Sequence, residues 1–198
     1  MGLSIHYKGR FSKNASLSAM IEEVRDIAEV YKWQYTVYET AFPAGSLEGE
    51  DFNDNIYGII FVAPGCEPVY LTFLSNGRMS TELGLEFWGK AKDEKAKYLY
   101  LLSTKTQYGG LHTHVTIIQM LRYLSKKYLS HFELIDEGGY WETNDIKVVT
   151  ETFKHYNDMM DAVAGALKNN RLRKGENIED FFERVLKQIQ IRKIKNKD

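Results

Sequence analysis

A chain of 198 residues and 23.0 kDa, 43% hydrophobic and 13% aromatic, is long enough for one domain with a sizeable core, or one domain with an appendage. Three prolines, a single cysteine and no low-complexity run exclude collagen-like and disordered classes, an internal disulfide and any multi-cysteine zinc cage. With 26 basic against 27 acidic side chains the net charge is −1, which gives no whole-molecule attraction to nucleic acid or to an anionic membrane.

The first eight residues lack the charged start and apolar core of a secretory signal, and the longest apolar runs, near 59–63 and 98–102, are too short to span a bilayer. Both features point to a soluble, cytoplasmic protein. Residues 3–8 read as a strand. Ser16 or Asn14 is placed to cap a helix in which Leu17, Met20, Ile21, Val24, Ala28 and Tyr31 recur at spacings of three and four, one buried stripe. Residues 33–40 alternate bulky β-formers, and 41–55, with Pro43, Gly45 and Gly49, read as a long loop.

Strands at 57–63 and 69–75 flank the proline-bounded break 64–68, which is hairpin chemistry. Asn76-Gly77 favours positive φ at both central turn positions and predicts a return around 78–81. Residues 82–97 read as irregular, with one helical turn. Residues 98–103 form a dense apolar strand, expected to be central. After Gly109-Gly110 comes a helix that buries Ile117, Ile118, Leu121, Leu124 and Tyr128 and turns Arg122, Lys126 and Lys127 outward.

A strand at 132–136 follows, then Gly138-Gly139 breaks the chain and Asn144 is expected to cap a long helix. In that helix Val149, Phe153, Tyr156, Met160, Val163 and Leu167 step by four and three in alternation. The polar stretch 169–177 reads as a linker between a domain at 1–168 and a terminal amphipathic helix with a basic tail at 178–198. That helix carries Ile178, Phe181, Phe182, Val185, Leu186 and Ile189 on one side. Residues 171–198 are net +4, which leaves about −5 on the body. The basic run 192–197 complements a helix C-terminus and is too short, with acids in the first turns of its helix, to argue for nucleic acid. The sharper expectation is an interaction helix that docks on the body or on a second copy, giving a homo-oligomer.

This order predicts an α+β fold, a mostly antiparallel sheet with flanking helices, one βαβ unit and a C-terminal helical appendage. Its front portion has the β-α-β-β-β-β-α order of helix-grip and TATA-binding-protein-like folds, an analogy of topology that carries no function. The βαβ unit is formed by strand 98–103, the helix at 111–129 and strand 132–136. If both strands join one sheet they run parallel and end on the same side.

Both of those ends run into polar, double-glycine loops, 103–114 and 136–145, and crevices at the carboxyl ends of parallel strands are common ligand sites. The first loop offers Lys105, Gln107, His112 and His114 near a helix start, a setting for an anion or a small polar molecule. The second offers Glu137, Tyr140, Trp141 and Glu142, carboxylates beside aromatics, suited to acid–base work or to stacking a ring against a polar anchor. The simpler account of each residue is structural: glycines that turn the chain, acids that close a strand or start a helix, a tryptophan plug. A metal held by His112 and His114 with Glu137 or Glu142 requires a non-helical segment, because positions i and i+2 of a helix point about 200° apart. No nucleophile–base–orienter set can be assigned, no cofactor is implied, and Cys66 has no local histidine. Nucleophile-elbow, Walker, dinucleotide and zinc-protease motifs are all missing. A small polar or anionic ligand held between the two loops is therefore the leading expectation. A non-catalytic interaction or oligomerisation module using the sheet and the C-terminal helices is the alternative.

Overall fold

The computed structural model describes residues 2–171 and 173–195; beyond Val185, only Lys187 is described at the level of its side chain. The chain divides into two compact units, Met1–Thr150 and Glu151–Asp198. The fold is α+β, with two three-stranded antiparallel sheets in the first unit.

The first sheet has β1 (Ser4–Phe11) between β5 (Leu102–Lys105) and β6 (Leu129–Asp136), antiparallel to both. The second places β3 (Tyr57–Val62) between β2 (Gln34–Val37) and β4 (Val69–Phe73). The return after Asn76-Gly77 forms and joins the two sheets, but positive φ is found at Gly77 alone and not at Asn76, contrary to the expectation for both central positions. Met79 N–H donates to Gly9 O at 2.9 Å, Phe11 N–H donates to Gly77 O at 2.7 Å, and Ser80 N–H donates to Thr72 O at 3.0 Å. Gly77 takes φ +80°, the conformation that makes glycine the apt residue in this turn.

Strand alternation sends Ile5, Tyr7, Phe11, Leu102 and Leu134 to one face, and His6, Lys8 and Glu133 to solvent. Two helices supply apolar stripes to the core: α1 (Leu17–Val30), capped by Ser16, whose hydroxyl accepts from Ala19 N–H, and α3 (Gly110–Tyr128). Leu17, Met20, Ile21, Val24 and Ala28 are buried on α1; Ile117, Ile118, Leu121 and Leu124 are buried on α3. Truncating a fully buried member such as Ile117 to alanine costs about 2–5 kcal/mol. Phe11 is packed among Phe42 and Phe73, each with its ring centroid 5.2 Å away.

Several sequence expectations are corrected. Tyr31 is not on the buried stripe; it stands 45% exposed and stacks on Trp33. The 82–97 segment is more regular than expected, with α2 (Glu82–Trp88) and a 3-10 turn at Glu94–Tyr100. That turn absorbs the start of the predicted 98–103 strand, so β5 begins four residues later and lies at an edge of its sheet, while β1 is central. Apolar content placed the strand at 98–103, but Tyr98, Tyr100 and Leu101 face outward or half-outward around the turn. β5 and β6 do run parallel, since each opposes β1, but β1 separates them. A short helix, α4 (Tyr140–Thr143), precedes α5 (Ile146–Asn169). Asn144 is in the left-handed conformation at the end of α4, and the cap of α5 is Asp145, whose carboxylate accepts from Lys147 N–H at 2.8 Å.

In the second unit α6 (Ile178–Lys195) follows α5 after a turn tied by one ion pair. Arg184 binds both Glu176 oxygens, at 2.7 and 2.9 Å, and donates to Asn170 Oδ1 at 3.0 Å. The expectations for Leu186, Ile189 and the run 192–197 fall on side chains outside the described residues. Among the described residues no helix is long and apolar enough to cross a membrane.

Candidate functional site

The carboxyl ends of β5 and β6 lie on one side of the first sheet, and α3 starts there. This topology brings the two double-glycine loops together, as the parallel relation of β5 and β6 requires. Their meeting place is filled by a chain of buried polar groups. Thr106 Oγ1 shares a hydrogen bond of 2.7 Å with His114 Nδ1, and His114 Nε2 lies 3.1 Å from Asp136 Oδ1. Asp136 also accepts from Gly138 N–H at 2.7 Å, Tyr140 N–H at 2.8 Å and Trp141 N–H at 3.0 Å.

Burial opposes ionisation of Asp136, but the His114 ring and the backbone amides outweigh it and hold the carboxyl below its ordinary value. An ionised carboxylate only accepts, so His114 Nε2 carries a proton and donates to it. Hydroxyl, imidazole and carboxylate follow the order of a nucleophilic triad. Thr106 and His114 have no exposed surface, however, so no substrate reaches the hydroxyl. The chain is a latch between β5, α3 and β6.

Gly138 makes room for this latch, and Gly109 for Cys66. A Cβ on Gly138 would sit 2.6 Å from His114 Nε2, and one on Gly109 would sit 2.4 Å from Cys66 Sγ. The close approach that glycine permits here is used by the protein's own side chains. Burial pushes the Cys66 thiol up to about 11.

The remaining candidate residues divide between interior and rim. Gln107 is buried, and its Oε1 has no hydrogen-bond partner among the described residues; the Lys105 ammonium lies 5.2 Å from the Tyr108 ring. His112 is exposed on the far side of α3 from His114, as the helical spacing demands, so the two cannot share a metal. Among the described residues no group of three His, Cys, Asp or Glu side chains could hold a metal ion. Glu137 accepts from Ser4 N–H at 2.8 Å, and Glu142 accepts from Asp136 N–H at 3.1 Å, so both close local backbone. Tyr140 is buried, with its hydroxyl accepting from Gln119 Nε2 at 3.1 Å.

Trp141 stands apart from these. It is half-buried, and it lines an open groove of about 540 Å³ on the outer side of the second loop, between α3, β6 and α4. Arg122 and Lys126, one turn apart on α3, stand on one side, and Phe132 meets Trp141 edge to face at 5.8 Å. The Arg122 guanidinium is fixed by Trp141 O at 2.8 Å and by Asn144 Oδ1, and lies 5.1 Å from the Trp141 ring. Neither Arg122 nor Lys126 has a carboxylate partner among the described residues, and no acidic side chain lines the groove.

Reading from the sequence turned Arg122 and Lys126 outward and gave neither a role, and so missed this arrangement. A signal was present. Helix α3 contains no Asp or Glu, and like charges at i and i+4 are unfavourable on an isolated helix, so 122 and 126 are cations without local compensation. No protein-family model, no curated protein and no solved structure matches this chain.

Proposed function

We propose that the first unit binds a small anionic molecule, received in the groove of Arg122, Lys126 and Trp141 beside loop 136–145. The observation that carries this reading is a guanidinium held by three oxygens, Tyr140 O, Trp141 O and Asn144 Oδ1, in a groove of ligand size with no acid in its lining. A cation already oriented by the protein loses little freedom when an anion docks, so more of its Coulomb gain appears as affinity. The reading keeps the anionic ligand expected of the two loops and moves it from between them to the outer side of the second. A cytoplasmic setting accords with the single, weakly acidic thiol.

Thermal unfolding with phosphate against chloride at matched ionic strength tests it. A ligand at 100 times its dissociation constant adds about 2.7 kcal/mol. Stabilisation by phosphate that is lost in Lys126→Glu, with the unliganded Tm unchanged, is expected; equal stabilisation of both proteins would refute the site.

A second reading, assembly through the second unit, draws on Ile178 and Phe182, which are 66% and 46% exposed on α6. It predicts concentration-dependent oligomers that disappear when both residues are changed to serine. A monomer at every concentration would remove it.

A further inference from the structure

We infer that the ligand of this groove is a phosphate monoester carrying a flat ring, the chemistry of a nucleoside monophosphate; this rests on the anion-binding reading above. The open groove, about 540 Å³, extends from the two cations to the Trp141 and Phe132 rings, which leaves room for a body beyond an anionic head. Its two uncompensated cations, Arg122 and Lys126, match the charge of a phosphate monoester, close to −2 at neutral pH. His131 adds no further free cation, because Glu133 is 2.9 Å from it and also pairs with Lys8 at 2.8 Å.

Away from the cations the lining holds two aromatic rings, Trp141 and Phe132, among Leu129 and polar side chains. The Trp141 and Phe132 rings are inclined at 70° with centroids 5.8 Å apart, and so make a corner. A planar ring that stacks on one wall presents its edge to the other, the two arrangements that aromatic quadrupoles favour. Asn144 and Ser125 line the same groove; with Asn144 Oδ1 held by Arg122 and the Ser125 hydroxyl donating to Arg122 O, the Asn144 amide N–H₂ and the Ser125 oxygen lone pairs face the polar body between ring and phosphate. Stacking on an aromatic face is tolerant of which base the ring is.

Isothermal titration of the full chain with adenosine monophosphate, adenosine and inorganic phosphate, read alongside quenching of tryptophan fluorescence, tests the inference. Adenosine monophosphate is expected to bind at least tenfold more tightly than either fragment. Lys126→Gln should weaken the monophosphate and inorganic phosphate alike, while Trp141→Leu should weaken only the monophosphate. Because Trp141 packs on Arg122, the Tm of Trp141→Leu and its phosphate affinity check that the groove survives. Inorganic phosphate binding as tightly as the monophosphate overturns the ring and leaves the anion site standing. Binding by none of the three overturns both.

Discussion

Asp136→Ala is the perturbation that most directly measures the latch. The carboxylate serves the His114 ring and three backbone amides, all within 3.1 Å, with no exposed side-chain surface on either partner. Alanine leaves these donors buried without acceptors, and water cannot reach them without opening the loop. A buried donor left without its acceptor costs about 1–3 kcal/mol, so taking the acceptor from four donors costs about 3–5 kcal/mol after local relaxation. For a chain of this size each kcal/mol lowers Tm by about 2–4 °C, so a fall of about 6–20 °C is expected in a thermal melt followed by circular dichroism. The sign with pH follows from the lowered Asp136 pKa: its stabilisation is complete above the ordinary carboxyl value and fades as pH falls through the depressed one. The gap between wild type and variant should therefore be widest near neutrality and close in acid. A Tm within about 1 °C of wild type at pH 7, or a gap that widens in acid, would show that the latch does not hold the loop.

The glycines give a paired test. Gly138→Ala should destabilise by about 1–3 kcal/mol, since its Cβ meets His114 and Asp136, whereas Gly165→Ala, in the interior of α5 with open space around it, should stabilise by about 0.5–1 kcal/mol; urea unfolding of both decides. In the second unit, hydrogen bonds from Arg184 and the Arg173 amide hold Glu176 down to about 2. Its contribution to hairpin stability is present above the ordinary glutamate pKa and is lost as pH falls toward 2, so Glu176→Gln should weaken the helices at pH 7 and flatten their acid melting. For Cys66, a thiol near 11 against an ordinary 9 predicts alkylation at pH 8 about 100-fold slower than for free cysteine, measured with iodoacetamide.

Local signals in the sequence were sufficient where one element decides its own form. The α1 stripe and its Ser16 cap, the 57–73 hairpin and the Asn76-Gly77 return each depend on neighbours within a few residues, and each is found. Strand 98–103 depended on pairing instead. Register with β1 selects 102–105, because Leu102 and Thr104 face the core opposite Tyr7 and Ile5, and composition alone does not report that register. The loops illustrate the same limit from the other side. Their convergence follows from chain order and strand direction, but whether Gly138 makes room for a ligand or for His114 depends on a contact 24 residues away in sequence. Read as part of the first loop, His114 is a candidate ligand, yet its place three and four residues before Ile117 and Ile118 sets it on the apolar face, where a histidine finds a buried partner.

One helix holds loop 136–145 from both sides. From within, His114 grips Asp136, whose second oxygen receives the Tyr140 and Trp141 amides. Two turns further along α3, Arg122 grips the Trp141 carbonyl and Asn144 from without. Trp141 is thus fixed through its own N–H by the latch and through its own C=O by the guanidinium that borders the groove. Pre-organisation of this kind transfers ordering cost from binding to folding. The buried latch therefore has a consequence for the ligand it never touches. Asp136→Asn leaves every groove side chain in place, but it sets an amide N–H₂ against amides and imidazole that all donate. If the latch orders Trp141, this variant should weaken the monophosphate more than inorganic phosphate at a temperature well below its own melt. Unchanged affinity for both would mean that the latch serves stability alone and that Arg122 suffices to set the groove.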